Sequence, residues 1–203
     1  MSALTDAAKA FFAKKATIIV QLNARLQPVH RGHLEDAIVE KLGARIPSLR
    51  VVGGGSAVDK DGRITSCGIE LMLLKSSLEQ TLTELASVLV ELGVPRGSLL
   101  VTPPKRKINV GQSEGLAVTF PRISTVNFEE VATALPHNEE LDRAMELLKP
   151  ALRGHGRVWS WQILRDEADL VIYGDDSEVL RDIIRATLPR EGAFAGYRIT
   201  AIT

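Results

Sequence analysis

Cysteine is almost missing from this chain, Cys67 being the single one among 203 residues. That excludes an intramolecular disulfide and a cysteine-based zinc cage, and a reducing, cytoplasmic setting is expected. Net charge is missing too. Lys and Arg total 25, as do Asp and Glu, so no global field draws the chain toward nucleic acid or an anionic membrane. Aromatic residues make up only 4%, and the basic, glycine- and aromatic-rich signature of RNA-binding sheets is not found, which disfavours a nucleic-acid partner. No run reaches the roughly 18 apolar residues of a membrane span. No Ser, Thr or Cys stands in a nucleophile turn, and no spacing of carboxylates marks an acid–base pair. An enzyme is therefore not the first expectation, and neither a metal nor another cofactor is expected.

What is there is a globular composition, 45% hydrophobic and 25% charged, sufficient for two domains of about 90 residues. Residues 1–15 predict a short amphipathic helix, with Ala7, Phe11 and Phe12 on one face and Lys9, Lys14 and Lys15 in water. Asp6 interrupts any signal-peptide core. Residues 16–102 then read as one unit. Ile18–Leu22 is a strand, and a helix begins near His33 or Leu34, with Glu35 and Asp36 in its first turn. Leu49–Val58 and Arg63–Leu74 form a hairpin about the Asp59–Gly62 turn. A second helix repeats Leu78, Leu82, Leu85, Leu89 and Leu92, and Leu99–Thr102 closes the unit as a strand.

Residues 103–115 (PPKRKINVGQSEG) read as a linker, because paired prolines, a basic run and a Gly/Ser/Gln stretch add little to a core. Residues 116–203 repeat the same order. Leu116–Phe120 is a strand, Asn127–Lys149 a helix broken at Pro136, Arg157–Arg165 and Asp169–Tyr173 a hairpin, and Asp176 or Ser177 the cap of a last helix before the strand Tyr197–Ile202. The expected fold is thus α+β, two tandem ferredoxin-like βαββαβ units with antiparallel sheets and helices on one face.

Binding candidates concentrate between Ile18 and Gly55. Arg25, Gln27, Pro28, His30, Gly32 and His33 form an R-x-Q-P-x-H-x-G-H series between a strand and a helix. Two imidazoles, Arg25, Arg31 and a helix N-terminus are a plausible anion site; alternatively the same residues are an exposed turn with Gly32 at its tip. His30 and His33 lack a third ligand for a metal, Glu35 being the nearest useful carboxylate. Gly53, Gly54 and Gly55 weaken a strand unless it is bulged or another backbone approaches, and they suit an edge at which a partner protein pairs. Trp159 and Trp161 alternate onto one strand face with Ile163, as core or as an aromatic platform.

The His30-x-Gly32-His33 series resembles the nucleotide-binding motif of the adenylyltransferase and cytidylyltransferase superfamily, its nicotinamide-nucleotide branch above all. That resemblance implies a parallel, doubly wound fold in which both histidines contact a nucleoside triphosphate. The longer pattern, R-x-Q-P-x-H-R-G and a helix, then V-V-G-G-G, a D-x-D-G turn and a second helix, also resembles small bacterial α+β proteins, some of them similar to immunity proteins that neutralise a toxin. It implies a non-enzymatic module that binds a protein partner. The function expected first is this binding module, immune or regulatory; a nucleotidyltransferase and a small-molecule sensor using the cleft between two units are the alternatives.

Overall fold

The computed structural model describes residues 14–104, 106–121, 139–164 and 167–202. Along the chain these form β1 (Lys15–Leu22), α1 (Pro28–Leu42), β2 (Arg50–Val58), β3 (Ile64–Leu74), α2 (Leu78–Glu91), β4 (Ser98–Thr102), β5 (Arg106–Val110), β6 (Glu114–Pro121), α3 (Glu139–Ala151), β7 (Gly156–Ile163), β8 (Glu167–Gly174), α4 (Ser177–Thr187) and β9 (Arg198–Ile202). One sheet has the order β2-β3-β1-β4-β5 and the other β7-β8-β6-β9. Every named strand pair is antiparallel. With β5 set aside, both sheets place their first and third strands at the centre, and each half is a ferredoxin-like βαββαβ unit.

Local chemistry explains most of these elements. Ile18, Val20 and Leu22 point into the core from β1 while Ile19 and Gln21 point out, the period of a strand buried on one face. The Asp59 carboxylate accepts from the backbone N–H groups of Asp61 and Arg63, both at 2.9 Å, and Gly62 takes φ +80°, which fixes the β2–β3 turn. Asp176 caps α4 by accepting from the N–H groups of Glu178 and Val179 at 2.9 and 3.1 Å, as its sequence position predicts.

Helices α1 and α2 cover one face of the first sheet, burying Leu34, Ile38, Leu42, Leu82, Leu85 and Leu89 against β1 and β3. Helices α3 and α4 do the same for the second, through Leu141, Leu148, Leu180 and Ile184. The second sheet has no open face at its centre. Val171 and Tyr173 of β8 belong to the core of the first unit, with Trp159 and Ile202 packed beside them. That is why β6 and β8 are buried along nearly their whole length and read as continuous apolar runs instead of alternating ones.

Several expectations change. Residues 1–13 of the expected N-terminal helix lie outside the described residues, and Lys15 opens β1. Helix α1 starts at Pro28, not at His33; proline suits the first helical position, where no N–H is needed. Glu35 and Asp36 therefore lie beyond the first turn, which holds no acid. The stretch 103–115 is not a plain linker. Arg106–Val110 pairs along its length with β4, and Ile108 and Val110 join the first core, so its one alternating pair of apolar residues outweighs the prolines and the basic run. In the second half, residues 122–138, including Pro136, lie outside the described residues, and α3 runs from Glu139 to Ala151 with Pro150 in its last turn.

A bulge at Val52 precedes the three glycines of β2, in line with a bulged strand. A second, at Trp159, overturns the shared tryptophan face. Because the extra residue shifts the alternation, Trp159 packs on the first core and Trp161 on the second.

Candidate ligand cleft between the units

The histidine series lies where the two units meet. The Gln27 backbone N–H donates to the Ser160 hydroxyl at 3.1 Å, and the Gln27 side-chain amide donates to the Trp161 carbonyl. His30 Nδ1 is 2.9 Å from Ser160 Oγ, and its ring stands edge-on to Trp161 at 5.9 Å. The backbone N–H of Arg25 donates to the Tyr173 hydroxyl at 3.0 Å. Three residues singled out as ligands thus hold strand β7 and Tyr173 of the second unit. In the first turn of α1, His30 faces protein, while Pro28 and Val29 face solvent.

Burial, and then the charge of neighbouring His33, lower the pKa of His30, so at neutral pH it contributes an uncharged imidazole. His33, one helical turn on with ring centroids 6.2 Å apart, is exposed. Arg31 pairs with Glu35 at 2.8 Å and reaches Ser56 at 3.4 Å. Its guanidinium lies over the backbone of Gly54, where a Cβ would come within 3.0 Å of Nε. The glycine run serves this helix-to-strand approach at Gly54, whereas Gly53 and Gly55 face the other side of the sheet.

Beside these contacts a cleft of about 200 Å³ is lined by His30, His33, Leu34, Leu92, Arg157 and Trp159. It adjoins a second hollow of about 370 Å³ that shares Leu92, Arg157 and Trp159 and reaches His155, the Lys41–Glu91 ion pair and Asp175. Arg157 stacks over the Trp159 ring at 4.7 Å and donates to the Leu92 carbonyl at 2.9 Å. Trp159 in turn stands edge-on to Tyr173 at 5.5 Å. No carboxylate lines the smaller cleft, and Arg157 has no anionic partner among the described residues. A carboxylate or phosphate between Arg157 and His33 would meet donors and an aromatic wall. No set of three metal-ligating side chains occurs among the described residues.

Arg25, Gln27, His30, His33, Trp159 and Trp161 are brought together, while Gly53, Gly54 and Gly55 stay apart from the cleft. Sequence reasoning missed Arg157 and Ser160. Their roles come from the bulge at Trp159 and from contacts across about 130 residues of chain, neither of which leaves a local mark. Cys67 is buried, which pushes its thiol up to about 11 and fits a core residue.

Burial also pushes the Tyr173 phenol up to about 12. The neutral form is the one folding favours, so this stabilisation is complete below the ordinary value of about 10 and is lost as pH rises through about 12. Urea unfolding followed from pH about 9 to about 12 is expected to cost the wild type about 2–3 kcal/mol more than Tyr173→Phe, two units at about 1.4 kcal/mol each. An equal alkaline loss in both proteins would show that Tyr173 is not the responsible group.

No family model matches the chain, and no curated protein matches it. Among solved structures, the regulatory subunit of aspartate kinase from Thermus thermophilus, in its ligand-free form, is similar at 11% identity over 87% of this chain and 93% of that one, with a TM-score of 0.27. An anthrone oxidase-like protein is similar at 12% identity over 93% and 89%, TM-score 0.30. The first two RRM domains of a yeast poly(U) binding protein are similar at 10% identity over 92% and 98%, TM-score 0.26. Likeness at this level carries nothing about what this chain does, and its assignment as two ferredoxin-like units rests on the strand order of its own sheets.

Proposed function

We propose that this chain is a non-enzymatic, regulatory binding module whose inter-unit cleft takes a small anionic ligand, a carboxylate or a phosphate. The supporting observation is Arg157, held over Trp159 beside His33 in a cleft lined by no carboxylate. A ligand in this place touches α1 of one unit and β7 of the other. Its binding therefore acts on the packing between the units, the element a regulator needs to bias.

A nucleotidyltransferase fits less well. Its parallel doubly wound sheet does not occur among the described residues, where both sheets are antiparallel, and His30 and Gln27 are engaged with Ser160 and Trp161. The protein-partner reading keeps one specific observation. Strand β2 is a sheet edge, with Val52 46% and Val58 61% exposed around Gly53, Gly54 and Gly55, a strand to which a toxin or a regulated enzyme could add its own.

The test is thermal unfolding of the purified chain against small carboxylates, inorganic phosphate and nucleotides. A ligand at 100 times its dissociation constant is expected to stabilise by about 2.7 kcal/mol, and the shift is expected to vanish in Arg157→Gln and shrink in His33→Ala. A shift that survives both substitutions removes the cleft as the site. Turnover of a nucleoside triphosphate that depends on His33 would return the chain to the enzymes.

A further inference from the structure

We infer that a second copy of this chain docks on the open face of the first sheet. Helices cover the opposite face, and nothing among the described residues covers this one. It is paved by Thr17, Ile19 and Gln21 of β1, Gly68 and Glu70 of β3, and Leu99 and Val101 of β4, the residues that alternate with the buried ones. Strand β5 adds exposed Lys107 and Asn109, whose neighbours Ile108 and Val110 turn to the core. Ile19 is an exposed large aliphatic side chain at the centre, 39% accessible. A hollow of about 520 Å³ lies beside it over Gly55, Ala57, Ser66 and Gly68.

The register arranges this face so that it complements itself. Glu70 pairs with Ile19, Ile19 with Val101, and Val101 with Lys107. Paired residues point to the same side, so Glu70, Ile19, Val101 and Lys107 form one row across four strands. The carboxylate of Glu70 leans over Gly53, where a Cβ would come within 3.3 Å of Oε2. Neither Glu70 nor Lys107 has an ion-pair partner among the described residues.

At about 4.8 Å per strand, Glu70 and Lys107 stand about 14 Å apart, and the midpoint of the row falls between β1 and β4. A two-fold axis lying between two such faces, parallel to the strands at that midpoint, sets Glu70 of each copy opposite Lys107 of the other. The same operation sets Ile19 opposite Val101 and, in the next row, Gly68 opposite Asn109 and Gln21 opposite Leu99. No like charges meet. An isologous interface needs this self-complementarity: an apolar centre flanked by two identical ion pairs. Aligned sheet packing near −30° leaves the arrangement within reach of long side chains.

The experiment is sedimentation equilibrium on wild type, Glu70→Lys, Lys107→Glu and the double charge swap, with circular dichroism to confirm folding. Both side chains are exposed, so the variants keep the core intact. The wild type is expected to be a dimer. Each single reversal sets like charges opposite each other at both ends and is expected to weaken dimerisation by about tenfold or more, with the double swap restoring it. A monomeric wild type would overturn the inference, as would a dimer indifferent to the single reversals or one that the double swap fails to rescue.

Discussion

Replacing Asp169 by alanine is expected to lower the free energy of unfolding by about 3–5 kcal/mol, the cost of leaving two buried neutral donors and a half-buried guanidinium without their shared acceptor. Asp169 is 0% exposed, and its carboxylate accepts from Thr119 Oγ1 at 2.7 Å, from Gln162 Nε2 at 2.8 Å and from the Arg63 guanidinium. Arg63 comes from the β2–β3 hairpin of the other unit and also reaches Glu167 at 3.0 Å. Although burial works against its charge, the bonds to Asp169 and Glu167 raise its pKa above the ordinary value. Next to it the Ile64 N–H donates to the Gln162 side chain at 3.0 Å. The hairpin tip is thus clamped into the second sheet by a network centred on the Asp169 carboxylate and flanked by the Arg63–Glu167 and Ile64–Gln162 contacts.

Arg63→Ala is expected to cost a similar amount, because it leaves a fully buried carboxylate with neutral donors only. Arg63→Met combined with Asp169→Leu is expected to cost far less than the sum, since two apolar groups leave no charge unpaired. Urea unfolding of the wild type, Arg63→Met, Asp169→Leu and their combination measures the coupling. Additive losses, or a single-variant cost below about 1 kcal/mol, would mean that the clamp does not hold the units.

Gly111→Ala is the second large effect. Gly111 takes φ +83°, and a Cβ there would come within 2.2 Å of the Pro95 carbonyl oxygen and 2.6 Å of that of Val94. Those carbonyls are not free to retreat. Val94 accepts from the N–H groups of Gln112 and Ser113, and the Arg96 N–H donates to the Ser113 carbonyl at 2.9 Å. The turn carrying the chain from β5 into β6 is built on that approach. The substitution is expected to cost about 3 kcal/mol or more, from left-handed strain and a backbone clash together. Gly154→Ala is the control, with φ +85° but open space around the Cβ position; only the strain of about 1–2 kcal/mol applies. Equal midpoints for the two variants in urea would show that the Pro95 approach costs nothing.

Local chemistry determined a good deal of this protein by itself. The order of strands and helices in the first unit, the Asp59–Gly62 turn and the Asp176 cap are all written in short stretches, because periodicity, turn residues and capping side chains act over a few residues. The antiparallel ferredoxin-like pattern follows from that order. Pro28 suits the first helical position, but the apolar period that begins at Leu34 and the acids Glu35 and Asp36 mark a start near His33, five residues past the one the fold adopts.

Tertiary structure decided the rest, since it turns on residues far apart in the chain. That His30 faces Ser160, that Trp159 and Trp161 part company at a bulge, and that β5 extends the first sheet all depend on pairings no local window contains. The same holds for the Arg63–Asp169 clamp, across 106 positions. Periodicity could say that one face of β1 is wet. Only the register across β3, β1, β4 and β5 could place Glu70 and Lys107 in one row, because the sheet, not the strand, sets which side chains are neighbours.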